Sequence, residues 1–97
     1  MTGMTRSSEG LDPRRRRMLF RAWHRGMREM DLIMGRFVES CIGTLSEAEL
    51  EALERMSELP DSDLYAWLAG ERPLPSEHDT PMFRRMREFQ RRSGAAS

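Results

Sequence analysis

The stretch that decides the fold of this chain is MREMDLIMGRFVESCI, residues 27–42. Apolar side chains recur in it at steps of three and four, which is the spacing of one face of an α-helix. Leu32 falls on the opposite side, near charged residues, and is a weak indication of a contact surface. The pattern therefore predicts a helix with one buried face. That face comprises Met27, Met30, Met34, Phe37 and Cys41, flanked by Ile33, Val38 and Ile42.

A helix start signal precedes this stretch at Asp12 and Pro13. Aspartate suits the N-cap because it accepts backbone N–H bonds, and proline suits the first helical position because its missing N–H leaves nothing unpaired. The helix is predicted to run to about Arg25. Gly26 then interrupts the pattern, and a glycine inside a helix costs about 1 kcal/mol relative to alanine. We therefore expect Gly26 to separate two helices.

Three further helices are predicted after residue 42. Residues 46–49 form an S-x-x-E capping box that opens the third helix. A turn and cap at residues 60–63 lead into a short fourth helix that ends at Gly70. Thr80 and Pro81 repeat the cap-and-proline start and open the fifth. The apolar face of the third helix consists of Leu50, Leu53 and Met56, and its solvated face of Glu47, Glu51, Glu54 and Glu58. Its hydrophobic staple is formed by Leu45 and Leu50. The apolar face of the fifth helix consists of Met82, Phe83, Met86 and Phe89.

The predicted fold class is all-α, because no run of alternating β-branched residues competes with the helical pattern. A chain of 97 residues has room for one domain with a single modest core. We expect a compact five-helix bundle over residues 12–92. A disordered N-terminal lead is expected over residues 1–11, and a frayed C-terminal tail over residues 93–97.

Charge is distributed unevenly although the formal net charge is zero. Residues 1–37 carry nine arginines against four acids, residues 38–79 eleven acids against two arginines, and residues 80–97 five arginines against one acid. The arginine run at residues 14–17 lies in the first turns of a predicted helix, where the helix dipole favours acids instead. Breaking that local rule indicates a function or a compensating partner.

The sequence lacks the patterns of common catalytic sites. His24 and His78 are the only histidines, and neither has the cysteine or carboxylate spacing of a zinc site. No glycine-rich phosphate loop or nucleophile elbow is present. We therefore predict no catalytic residue and no metal ligand, and we expect the chain not to be an enzyme. The single cysteine, Cys41, excludes an internal disulfide and is expected to be a buried structural thiol.

Membrane and nucleic-acid classes are disfavoured by composition. No apolar segment approaches the roughly 20 residues that span a bilayer. The arginines at residues 14–17 and 84–92 suggest a nucleic-acid surface, but the acidic middle of the chain would repel phosphate. A small antitoxin-like or nucleic-acid-associated regulator stays as the alternative function. Residues 1–10 are polar and carry one arginine, so we expect no secretory signal or transit peptide and a cytoplasmic location.

Residues 24–31 concentrate charge where the first two helices meet. Glu29 falls in the first turn of the second helix, where the dipole favours an acid. Arg25 precedes it by four residues across Gly26, so the two side chains could converge. Two interpretations stay open from these residues alone: a corner pinned by an Arg–Glu pair, or a functional surface.

The segment Arg25-Gly26-Met27-Arg28-Glu29 resembles the RGxxE motif of the SdhE/YgfY family, the succinate dehydrogenase FAD assembly factors whose mitochondrial relatives are called assembly factor 2. The similarity extends through residues 16–26 before the motif and residues 30–37 after it. Residues 45–49 and 63–68 resemble later helices of the family, so the match covers roughly residues 14–90. A bacterial, cytoplasmic member fits this sequence better than one from the mitochondrial matrix.

The resemblance implies a non-catalytic helical bundle that binds the flavoprotein subunit of succinate dehydrogenase, and in some members that of fumarate reductase. It implies that the factor promotes covalent attachment of FAD to a histidine of this partner. No tightly bound cofactor, no membrane contact and no nucleic acid are expected for the factor itself. Carried over by motif position, the partner-binding residues are Arg25, Gly26 and Glu29. Arg28 and Asp31 are added because they are expected on the same exposed turn, and His24 is a further candidate.

Overall fold

The structure is a computed structural model that describes residues 10–94. Within this range the chain forms five α-helices and one short 3-10 turn, with no β-strand, which confirms the predicted all-α single domain. The helices are α1 (Pro13–Trp23), α2 (Arg28–Cys41), α3 (Glu47–Ser57), α4 (Asp61–Ala69) and α5 (Pro81–Gly94), and the 3-10 turn is Ser76–His78.

The predicted ends of the domain, residues 12 and 92, lie just inside the described range. Residues 1–9 of the expected disordered lead and residues 95–97 of the expected frayed tail lie outside it. Leu11, which belongs to that lead, is buried in the core, and α5 continues to Gly94. The packed bundle therefore begins at least one residue earlier than the predicted boundary at residue 12.

Side-chain caps open three of the helices as predicted. Asp12 Oδ1 accepts the backbone N–H of Arg15 at 2.8 Å, and Thr80 Oγ1 accepts that of Phe83 at 3.2 Å. Ser46 and Glu49 form both bonds of the capping box. The backbone N–H of Ser46 accordingly holds the pKa of Glu49 below its usual value.

Two helix boundaries differ from the prediction. The first helix ends at Trp23 rather than at about Arg25, which leaves Arg25 in the connection to α2. The fourth begins directly after Pro60, so Asp61 lies in its first turn instead of in a preceding turn. This helix ends at Gly70, as predicted. Gly70 adopts the left-handed region, with φ of 78°.

Helix α2 lies at the centre of the core. Its predicted apolar face is buried, apart from Met27 and Ile33, which are half-buried and pack against the core. Leu32 is exposed, as the pattern predicted. Helix α1 packs against α2 through its own buried side chains, and α5 closes the other side. The core residues of these flanking helices are Met18, Leu19, Ala22 and Trp23 of α1 and Met82, Phe83 and Met86 of α5.

Helices α1 and α2 approach each other closely at Gly35, a position that the periodicity did not single out. A Cβ atom added to Gly35 would lie 2.4 Å from Cδ2 of the Trp23 indole ring. That separation is far below the roughly 3.5–4.0 Å at which carbon atoms pack. The glycine therefore provides the space for the buried indole ring, and any larger residue would push the two helices apart.

Two of the four arginines at residues 14–17 are compensated within the chain. Arg14 forms a two-point ion pair with Glu54 of α3, at 2.6 and 2.9 Å, and contacts Glu47 at 2.8 Å. Arg15 donates to the carbonyl oxygen of Ile42 at 3.0 Å. These bonds tie the start of α1 to α3 and to the end of α2, so the arginines that oppose the α1 dipole serve tertiary packing.

Glu54 corrects one further expectation. It was predicted on the solvated face of α3, but its side chain is only 28% exposed because Arg14 covers it. The hydrogen bonds from Arg14 hold the pKa of Glu54 below its ordinary value, and the pKa of Arg14 is raised in turn. This pairing stabilises the charged form of both groups.

Cys41 is free and buried, as predicted. Burial raises the pKa of its thiol, which favours the unreactive protonated form. Among the described residues, no helix is long and apolar enough to cross a membrane. No group of three or more histidine, cysteine, aspartate or glutamate side chains within residues 10–94 is placed to hold a metal ion.

Candidate functional site

The connection between α1 and α2 forms a sharp corner at Gly26. Its φ of +101° lies in a region that side-chain-bearing residues rarely adopt, whereas no atom beyond its two chain neighbours lies within 4 Å of the position a Cβ would occupy. The glycine is therefore required by the backbone conformation and not by crowding. The corner is open to solvent at this point.

Arg25 points inward from the corner, and its side chain is only 8% exposed. Its Nε and Nη2 atoms both lie 2.7 Å from Oδ1 of Asp61, at the start of α4. Nη1 donates to the carbonyl oxygen of Ser57 at 2.5 Å, and Nη2 donates to that of Leu59 at 3.1 Å. A single guanidinium thus joins the α1–α2 corner to the α3–α4 connection.

These contacts bear on the first of the two interpretations of residues 24–31, a corner pinned by an ion pair. The corner is pinned by an arginine–carboxylate pair, but the acid is Asp61 and not Glu29. Two carbonyl oxygens accept further guanidinium N–H groups, so the buried charge is both paired and hydrogen-bonded. Arg25 therefore has a positioning role inside the molecule and presents little surface to a partner.

Asp31 also holds the corner from within. It was expected on the exposed turn, yet it is half-buried and its Oδ1 accepts the backbone N–H of Arg25. Arg25 lies outside both helices, so its backbone N–H needs an acceptor of this kind. Arg25 is therefore fixed twice, through its guanidinium by Asp61 and through its backbone by Asp31.

The outer face of the corner consists of Gly26, Arg28 and Glu29, which are all exposed. Neither Arg28 nor Glu29 forms a hydrogen bond or an ion pair through its side chain with any residue between 10 and 94. The six residues selected from the sequence therefore lie close together but divide into two kinds. Arg25 and Asp31 fix the backbone, while the others face solvent.

His24 forms an exposed ring pair with Phe20 one turn earlier in α1. The ring centroids lie 3.9 Å apart with 16° between the planes, and Nδ1 of His24 donates to the carbonyl oxygen of Phe20 at 2.7 Å. Phe20 is 57% exposed, so the pair presents an aromatic surface beside the corner. Phe20 was not among the residues selected from the sequence, although its position among arginines on the polar side of α1 marks it as an apolar residue outside the core.

Two open cavities flank the corner. One, of about 320 Å³, lies between the end of α1 and the α3–α4 connection and includes His24, Arg25 and Asp61. The other, of about 270 Å³, lies beyond Glu29 and is lined by residues of α2, α4 and α5. The corner therefore combines an engaged guanidinium, a half-buried Asp31 and the exposed charges of Arg28 and Glu29.

A protein-family model described as flavinator of succinate dehydrogenase matches residues 16–90. The chain belongs to this family. The FAD assembly factor SdhE of Acetobacter pasteurianus is 47% identical over 85 residues, which cover 88% of this chain and 78% of that protein. The family resemblance noted from the RGxxE segment and its surroundings is therefore confirmed.

Mitochondrial relatives are more distant. Succinate dehydrogenase assembly factor 2 of Danio rerio is 30% identical over 87% of this chain and 54% of its own length. The corresponding protein of Scheffersomyces stipitis is 32% identical over 74% of this chain and 50% of its own length. The chain thus spans about half the length of these mitochondrial relatives. No solved structure matches the chain.

Proposed function

We propose that this chain is a non-catalytic assembly factor that binds the flavoprotein subunit of succinate dehydrogenase and promotes covalent attachment of FAD to that subunit. The observation that carries the proposal is the family match over residues 16–90, which includes the whole α1–α2 corner. The FAD assembly factor of Acetobacter pasteurianus, matched over most of both chains, supports the same function.

The corner supports a mechanism of positioning rather than of catalysis by the chain's own groups. Arg25 is engaged by Asp61 and two carbonyl oxygens, so its charge is not free to act on a flavin. The exposed residues Gly26, Arg28 and Glu29, with His24 beside them, are the proposed contact surface. Holding the partner in a reactive arrangement accelerates a bond-forming step that belongs to the flavin and the partner.

The chain is proposed to bind no cofactor tightly. The cavities beside the corner measure about 320 and 270 Å³. Both are at or below the lower end of the roughly 300–1,000 Å³ range of pockets for drug-sized ligands. FAD is larger than such ligands, so these open cavities favour an encounter in which the flavin is held by the flavoprotein.

The nucleic-acid alternative loses part of its support in the structure. It depended on the arginines at residues 14–17 and 84–92. Arg14 and Arg15 are engaged in bonds within the chain, and Arg84 and Arg85 pair with Asp79 and Glu49. Arg16 and Arg17 are exposed, and two adjacent bases on one helix make a small footprint for phosphate binding. We therefore retain one proposed function, with the cytoplasm as its location and the fumarate reductase flavoprotein as a second partner.

A capture experiment tests the proposed function. The tagged chain should retain the flavoprotein subunit of succinate dehydrogenase produced without covalent FAD, and release it once FAD is attached. In a strain that lacks the chain, the covalent flavin fluorescence of this subunit should fall and be restored by the wild-type gene. Glu29→Ala should not restore it, whereas Arg16→Ala, an exposed change away from the corner, should. Normal fluorescence in the deletion strain would contradict the proposal.

A further inference from the structure

Beyond Glu29 the surface of the bundle opens into a groove between α2 on one side and α4 and α5 on the other. The groove has a volume of about 270 Å³ and is lined by apolar, polar and charged side chains. It is named the α2 groove below. The residues that define it are Glu29, Leu32, Ile33, Arg36, Tyr65 and Phe89.

The charged ends of the α2 groove belong to one stripe of α2. Glu29, Leu32 and Arg36 are separated by three and four residues, so they lie on the same face of the helix. At about 1.5 Å of rise per residue, Glu29 and Arg36 lie roughly 10 Å apart along the helix axis. Leu32 lies between them and is one of only two large apolar side chains exposed in the described part of the chain.

The two charges of this stripe are unpaired among residues 10–94. Neither Glu29 nor Arg36 forms an ion pair or a side-chain hydrogen bond with residues 10–94, whereas Arg14, Arg25 and Arg72 all bind carboxylates of the chain. This stripe therefore presents a negative end, an apolar middle and a positive end, with no partner for either charge among residues 10–94. Complementary charges on a binding partner would fix both its orientation and its register.

We propose that the α2 groove binds a segment of the flavoprotein partner in which an apolar side chain lies between a basic and an acidic residue. The apolar side chain would pack on Leu32 and Phe89, the basic residue would face Glu29 and the acidic residue would face Arg36. This inference rests on the proposed function and extends it to a surface beside the corner. It makes Leu32 and Arg36 partner-binding residues in addition to those selected from the sequence.

The concave shape of the groove decides between two possible occupants. A second copy of this chain, related by a two-fold axis, would place Glu29 of one copy beside Arg36 of the other. That arrangement brings two cavities face to face, so neither copy offers a protruding segment to enter the other. A convex segment of a different protein fills the groove, so the flavoprotein is the occupant we infer.

Binding measurements with exposed variants test this inference. Arg36→Glu reverses the charge at one end of the groove, Leu32→Ala removes the apolar contact, and Arg16→Glu is a control with the same charge change at an exposed site of α1. We expect the dissociation constant for the flavoprotein subunit lacking covalent FAD to rise about tenfold for each groove variant, with little change for the control. Unchanged helical circular dichroism and melting would show that all three variants are folded.

The same titration separates failure of the groove from failure of the proposed function. If the wild-type chain binds the subunit and both groove variants bind it equally well, the groove proposal is overturned while the assembly function stands. If the wild-type chain itself does not bind the subunit, the proposed function fails and the groove proposal fails with it.

Photocrosslinking identifies the occupant directly. A photoreactive amino acid at position 32 should form a crosslink with a flavoprotein peptide that has an apolar residue between a basic and an acidic one. The same amino acid at position 16 should not form that crosslink. A product that joins two copies of this chain, or a flavoprotein peptide without the two charges, would overturn the proposal.

Discussion

Arg25 and Asp61 form a buried ion pair that joins the α1–α2 corner to the start of α4, with 2.7 Å between the guanidinium and the carboxylate. The two side chains are only 8% and 17% exposed. Removing one member of such a pair leaves the other charge desolvated, which typically costs about 3–5 kcal/mol. We therefore expect Asp61→Ala to lower the free energy of unfolding by about 3 kcal/mol in urea denaturation.

The pair between Arg72 and Asp63 provides the matched control. It has the same 2.7 Å separation, but its side chains are 53% and 35% exposed. Exposed pairs contribute little because water already solvates both charges, so Asp63→Ala should cost less than about 1 kcal/mol. Equal losses for Asp61→Ala and Asp63→Ala would show that burial of the Arg25 guanidinium has no energetic consequence.

The same aspartate should influence partner binding at a distance. Asp61→Asn keeps an acceptor oxygen but removes the charge that holds Arg25, so we expect the corner to be held less firmly. Capture of the flavoprotein subunit by this folded variant should be weaker than by the wild-type chain, and Asp61→Glu should restore part of it. Wild-type capture by Asp61→Asn would mean that the position of the corner does not depend on this charge.

Gly26 should be intolerant of any side chain for reasons of backbone conformation. Its φ is +101°, and an L-residue held in this region costs about 1–2 kcal/mol although space for a Cβ is available. We expect Gly26→Ala to lower the unfolding free energy by that amount. Gly43, which is exposed and has no positive φ, is the control, and Gly43→Ala should be close to neutral.

Gly35 should be intolerant for a different reason. A methyl group there would lie 2.4 Å from the Trp23 indole, and overpacking of this kind costs about 1–3 kcal/mol. The Trp23 Nε1 atom is buried without a hydrogen-bond partner in residues 10–94, so no polar contact anchors the ring against such a shift. We expect Gly35→Ala to lower the melting temperature.

A second substitution distinguishes this clash from a general effect of alanine. Trp23→Leu removes the ring atoms that a Gly35 methyl group would meet, so the loss caused by Gly35→Ala should be smaller in that background. Additive losses in the double variant would contradict the close approach of α1 and α2 at this position.

These residues show which parts of the structure were accessible from sequence. The capping box of Ser46 and Glu49 and the apolar face of α2 depend on neighbours within one or two helical turns, so the sequence predicted them correctly. The pairs Arg25–Asp61 and Gly35–Trp23 depend on which helices meet. Local spacing therefore pointed to Glu29 as the partner of Arg25, because it is close in sequence, while the acid that binds it lies 36 residues away.

The candidate site was predicted in part for the same reason. The glycine break and the cluster of charges located the corner between residues 24 and 31. Sequence could not divide that cluster into inward and outward residues. Arg25 is covered through its contact with α4, and Asp31 is half-buried against the corner backbone. Phe20 was not predicted to be exposed, because its exposure depends on which side of α1 packs against the core.

The pair between Arg14 and Glu54 should make stability depend on pH in the acidic range. The hydrogen bonds from Arg14 lower the pKa of Glu54 in the folded chain, so the folded state binds this proton less readily than the unfolded state. The resulting stabilisation is present above the ordinary glutamate pKa of about 4.3 and is lost as the pH falls through the lower folded value. We expect Glu54→Gln to be less stable than the wild-type chain at pH 7.

The difference between the two proteins should shrink as the pH falls below about 4, because Glu54 itself becomes neutral in that range. Urea denaturation at pH 7 and at pH 3 measures it. Glu51→Gln is the control, because Glu51 is 62% exposed and lies 3.9 Å from Arg55, and its effect should be small at both pH values. A Glu54→Gln deficit that stays constant with pH would assign the stabilisation to the shape of the side chain and not to its charge.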